Sequence, residues 1–71
     1  MEKKYWLINV LGKDGYSFMV SGELENEDIA LDAAFQADLF ESRDDADSAI
    51  ADEADENDIK QFNEWGCCYE V

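Results

Sequence analysis

Nine carboxylates fall within residues 41–58: Glu41, Asp44, Asp45, Asp47, Asp52, Glu53, Asp55, Glu56 and Asp58. Arg43 is the only base among them. Widening the window to residues 23–58 adds Glu23, Glu25, Glu27, Asp28, Asp32 and Asp38 and no further base. Read as largely helical, the dense run would span about 27 Å, at about 1.5 Å per residue. That places one negative charge every roughly 3 Å, close to the phosphate spacing of about 3.4 Å along one DNA strand. Such a face repels itself, because pairs such as Asp44–Ser48 and Glu53–Asn57 put no lysine one turn on. A field of this kind attracts basic partners and speeds their association. The plainer reading is a solvated acidic surface. Against a uniform bias, Lys3, Lys4 and Lys13 precede the acids, so the charge is segregated along the chain.

Other chemistries find little support. The chain has no histidine to act as a base at neutral pH, a single arginine and no Gly-rich phosphate loop. Paired carboxylates can serve hydrolysis, but among 19 acids a pair arises by chance. An enzyme is not expected, nor is a cofactor. A calcium loop fails on spacing: starting at Asp45 puts Ala49 and Ile50 where an acid and a glycine belong, and starting at Asp52 puts Ala54 at the third position. Cys67 and Cys68 are adjacent, which lacks the gap of a zinc site and would strain a disulfide between them. Two reduced thiols in a strand are expected, with no metal site.

At 71 residues the chain is one domain, and its net charge of −14 repels phosphate backbones and anionic lipid alike. Direct binding to nucleic acid or membrane is therefore not expected. The sequence holds no apolar run long enough for a transmembrane helix, and Met-Glu-Lys-Lys leads into no cleavage-site pattern. A cytoplasmic location is expected.

The elements that must position these groups start with a hairpin over residues 4–24. Residues 5–11 and 16–20 are rich in β-branched and aromatic side chains, and Gly12-Lys13-Asp14-Gly15 supplies the turn. Trp6, Ile8 and Val10 share one face, as do Tyr16, Phe18 and Val20. The opposite face of the first strand (Tyr5, Leu7, Leu11) is also apolar, which implies a central strand, a covering helix or a partner. Asn26 reads as the N-cap of a helix with the stripe Leu31, Phe35, Leu39. Residues 37–40 either end that helix or form a short third strand. Ser42 opens a second, weak helix whose inner side is Ala46, Ala49, Ile50 and Ala54. Ile59, Phe62 and Trp65 mark a third, capped by Asn57 or Asp58 and closed by Gly66. Residues 67–71 alternate and could add an edge strand.

The expected fold is α+β: a small antiparallel sheet, from the N-terminal hairpin plus the C-terminal strand, with two or three helices on one face. Trp6, Ile8, Val10, Phe18, Val20, Leu31, Phe35, Leu39, Ile50, Ile59, Phe62 and Trp65 are expected in the core.

In size, acidity and absence of a catalytic motif, the chain resembles the small phage-encoded DNA-mimic inhibitors, a group that includes several anti-CRISPR and anti-restriction proteins. Residues 41–58, about a quarter of the chain, carry a likeness of class, and no residue is transferred by position. The resemblance implies a non-enzymatic inhibitor working in the host cytoplasm. It would bind a basic nucleic-acid-handling protein (a nuclease, a CRISPR or restriction effector, or a regulator) through the nine acids of the run. The alternative expectation is a protein–protein interaction module that uses the apolar Tyr5–Leu7–Leu11 face, for instance as a homodimer, with the acids only solvated.

Overall fold

A computed structural model describes residues 3–11 and 17–71. β1 (Lys4–Val10) and β2 (Ser17–Gly22) pair antiparallel, Trp6 opposite Val20 and Ile8 opposite Phe18. The expected turn at 12–15 and Tyr16 lie outside the described residues. On its other side β1 pairs antiparallel with β3 (Ala49–Glu53), Ile8 opposite Ala51. β1 is therefore a central strand of the sheet. β4 (Cys68–Glu70) joins the far side of β2, giving the order β3-β1-β2-β4. The C-terminal strand extends the hairpin as expected. It runs parallel to β2, however, so the sheet is mixed rather than antiparallel.

Among the described residues, three helices complete the α+β fold: α1 (Glu27–Gln36), α2 (Arg43–Asp47) and α3 (Glu56–Trp65). Asn26 and Ser42 cap the first two, accepting from the amides of Ile29 at 3.0 Å and Asp45 at 3.2 Å. α3 is capped by Asp55, whose carboxylate accepts from the Asp58 amide at 2.8 Å, rather than by Asn57 or Asp58. Gly66, at φ 74°, closes it in the left-handed conformation. α1 stops at Gln36, and Asp38 at φ 61° turns the chain away, so residues 37–40 are a turn rather than a strand.

β2, β3 and β4 all run opposite to β1. The first crossover passes from β2 over β1 to β3, and the second returns from β3 to β4. Right-handed crossovers in opposite directions place their helices on opposite faces. The packing agrees. α1 lies against β3 and β1, with Ala30 and Ala34 in one core with Trp6, Ile8, Val10, Phe18 and Val20. α3 lies against β4 and β2, and Met19 and Phe62 are buried outside that core. Met19 alternates with Phe18 and Val20, so it points to the other face. Helices on one face only is thus corrected to helices on both.

Two further expectations are corrected. Residues 46–54 do not form a helix: α2 ends at Asp47 and β3 follows, with Ala49 and Ala51 buried and Ile50 and Asp52 exposed. Pairing with the central strand overrides the weak helical pattern of an alanine-rich segment. In α1 the buried side is Ala30 and Ala34, while Leu31 and Leu39 are half-buried and Phe35 is 46% exposed. Small residues on both elements, Ala30 and Ala34 against Ala49 and Ala51, suit a close approach of α1 to the sheet. Ile50 and Trp65 are likewise exposed, Trp65 resting edge-on against Phe62 at 5.2 Å, and Ile59 is half-buried. Trp6, Ile8, Val10, Phe18, Val20 and Phe62 are buried as expected.

Ile8 is fully buried, so Ile8→Ala should destabilise the protein by about 2–5 kcal/mol. Phe35→Ala should lower stability by less than about 1 kcal/mol, as for other exposed positions. Urea unfolding of the two variants checks both. Equal losses would place Phe35 in the core.

Candidate partner-binding surface

The nine acids of residues 41–58 do not lie on one rod. β3 interrupts them, and its five residues span about 17 Å at about 3.3 Å each. Glu41, Asp44, Asp45 and Asp47 lie before it, around α2, near the end of β1, where the Leu11 amide donates to the Ser48 carbonyl at 3.0 Å. Asp52, Glu53, Asp55, Glu56 and Asp58 lie at and beyond its far end, where Glu53 faces Trp6 across the ladder. The phosphate-like linear spacing expected from a continuous helix is therefore absent. Asp45 is 7% exposed and so leaves the surface; Asp58 is half-buried, and the other seven are exposed.

The topology replaces the rod with a pole. β2, β3 and β4 all end where β1 begins, with Lys4 opposite Gly22 and Ser21 beside Glu70. α1 and α3 both start from that end. Glu23, Glu25, Glu27 and Asp28 surround the start of α1, and Glu53, Asp55, Glu56 and Asp58 the start of α3. Helix N-termini carry a partial positive charge, so acids are favoured there. Part of the clustering is thus structural: Asp55 is a cap, and Glu27, Asp28, Glu56 and Asp58 occupy first turns.

Lys3, Lys4 and Lys60 lie at or near that end too, outnumbered by the acids there. Lys3 sits 5.6 Å over the Tyr5 ring and 3.8 Å from Glu70, the ion pair found among the described residues. Both partners are exposed, so the pair adds little stability. Arg43 opens α2 at the other end.

No group of three or more Asp, Glu, Cys or His residues suited to a metal occurs among the described residues. Cys67 and Cys68 are both free thiols. Cys67 packs against the main core, whereas Cys68 faces Met19 across the β2–β4 pairing. Burial pushes the Cys68 thiol above its ordinary range, against the opposing pull of the Lys3 charge and a hydrogen bond with Ser21. No helix among the described residues is long and apolar enough to cross a membrane.

Among the described residues, two clefts open onto solvent. One of 430 Å³ lies at the helix-start end beside Lys3, Gly22, Glu23 and Glu70. The other, of 270 Å³, lies between α1 and α2 and is lined by Leu31, Asp32, Phe35, Arg43, Ala46 and Asp47. Sequence reasoning missed the second because it assigned Phe35 to the core; the competing signal was the small pair Ala30 and Ala34 one turn apart. It missed the pole because strand direction, a non-local property, is what brings residues 23–28 to residues 53–58. No protein-family model, curated protein or solved structure matches the chain.

The native fold holds the Cys68 proton more tightly than the unfolded chain does. The stabilisation this confers is therefore complete below the unfolded-state pKa and is lost as pH rises through the native one. In a Cys67→Ser variant at about pH 8.5, iodoacetamide should alkylate Cys68 more slowly in the folded protein than in urea, because the thiolate is the nucleophile. Equal rates would show that burial does not protect this thiol.

Proposed function

We propose that this chain is a non-enzymatic inhibitor, acting in the cytoplasm. It binds a basic nucleic-acid-handling protein through its acidic surface and competes with nucleic acid for that protein's groove. The observation that carries the reading is the convergence of two acidic segments, residues 23–28 and 53–58, on the end where α1 and α3 begin. The whole molecule measures 30 × 23 × 17 Å, so at low ionic strength, where the Debye length is about 30 Å, the fields of charges sharing one end add. Mimicry here means a matching negative potential, not a matching linear repeat.

The apolar-face alternative has a mixed surface to work with: of Tyr5, Leu7 and Leu11, the first two are half-buried and Leu11 is 58% exposed, while Met19 on the same sheet face is fully buried.

The test is competition with labelled DNA or RNA for an isolated nuclease, effector or regulator, across a salt series. Binding should weaken steeply as salt rises. Changing Glu25, Glu27, Asp28, Glu53 and Glu56 together to their amides should abolish competition with the fold retained. The same change at Glu41, Asp44 and Asp47 should weaken it less. A partner that holds this protein and nucleic acid at once would rule the reading out.

A further inference from the structure

We propose that the cleft between α1 and α2 is an arginine seat. It receives one arginine side chain of the basic partner, with Phe35 as stacking surface and Asp32 and Asp47 facing the guanidinium. This rests on the reading above that the chain binds a basic partner, and it places a second contact at the end of the fold opposite the helix-start acids.

Phe35 forms one wall of the cleft. It is 46% exposed although it is aromatic, and it lines a 270 Å³ cleft whose other apolar wall is Leu31 and Ala46, both half-buried. Asp32 and Phe35 are three apart on α1, so they share a side of the helix. Arg43 and Asp47 are four apart on α2 and face one another along it in the same way. Among the described residues the ion pair found within 4.0 Å joins Lys3 to Glu70, so Asp32, Asp47 and Arg43 line one cleft unpaired. An aromatic surface flanked by unpaired carboxylates is what a guanidinium recognises. Its plane stacks on the ring while its N–H fork donates to carboxylate oxygens.

Charge chooses the occupant. Two acids against one base leave the cleft net negative, inside a chain of net charge −14. An acidic side chain or a second copy of this protein would meet repulsion, and a purely apolar side chain would leave three charges without partners. Arg43 then acts as a resident competitor at the lip, moderating the affinity for an incoming cation.

The test is a titration of the ¹⁵N-labelled protein with the tripeptide amide Gly-Arg-Gly, beside Gly-norleucine-Gly and Gly-Glu-Gly. Shifts with the arginine peptide should concentrate at Leu31, Asp32, Phe35, Ala46 and Asp47. Asp32→Asn with Asp47→Asn should weaken binding about fivefold or more, and Phe35→Leu should weaken it too, losing the ring but keeping an apolar side chain. Arg43→Gln should tighten it about two- to threefold by removing a like charge. Native amide dispersion in each variant controls for folding. Shifts spread over the acids at the helix-start end would overturn the seat while leaving the acidic-surface reading intact. Equal binding of the norleucine peptide, preference for the glutamate peptide, or self-association shifting the same residues would also overturn it. Localised arginine binding combined with failure to compete with nucleic acid would instead uphold the seat and reject the inhibitor reading.

Discussion

β1 carries ladder hydrogen bonds on both edges, and the direction of every other element follows from that. Bonds from the Ala54 amide to Tyr5 and from Leu11 to Ser48, both at 3.0 Å, show that its odd residues bond to β3. Its even residues are left for β2. Both neighbours run antiparallel to it and so end where it starts, and β4, parallel to β2, ends there too. Each crossover helix must then leave from that same end. Two helix N-termini at one end offer two favourable places for acids, so the sheet's hydrogen-bonding pattern, more than the local sequence, concentrates the negative charge.

The core that supports this field is small. Ile8, Met19 and Val20 are its largest fully buried side chains, and alanines fill much of the space between α1 and the sheet. Self-repulsion from a net charge of −14 works against a stability margin that is narrow in any domain of this size. Specific contacts offset it. The Trp6 indole donates to the Leu24 carbonyl at 3.0 Å and ties the β2–α1 connection to the central strand. Gly22, at φ 155°, lets the Val71 carbonyl approach so closely that a Cβ there would lie 2.5 Å from its oxygen. The C-terminus is thereby held against β2, with the Val71 amide donating to Ser21 at 2.9 Å.

The hairpin, the caps Asn26 and Ser42, and the Gly66 stop were legible in the sequence because each is a local signal: alternation, a side chain that accepts from an amide three residues on, a glycine that tolerates positive φ. Residues 49–53 were not legible. Ala-Ile-Ala-Asp-Glu has neither strong strand propensity nor a decisive period, and only the waiting edge of β1 makes it a strand. The misreading of α1 has the same source. Phe35 looks like a core residue until a neighbouring strand lined with alanine lets Ala30 and Ala34 come close instead. The acids were visible as a list of residues, whereas their arrangement depended on the strand that splits them.

The same register decides which modes of recognition remain open. With Ser48, Ile50, Asp52 and Ala54 bonded toward β1, the outward backbone groups of β3 belong to Ala49, Ala51 and Glu53. Ala49 and Ala51 are 8% and 2% exposed, so an incoming strand cannot reach them. At the other edge, Cys67 and Val71 bond to β2, at 2.8 and 2.9 Å, leaving only Cys68 and Glu70 facing outward on a three-residue strand. Short, charged or covered edges resist strand addition. A partner is left with side chains rather than backbone to read. On this surface those are carboxylates in excess and a few exposed aromatics, the groups that the proposed basic partner would meet.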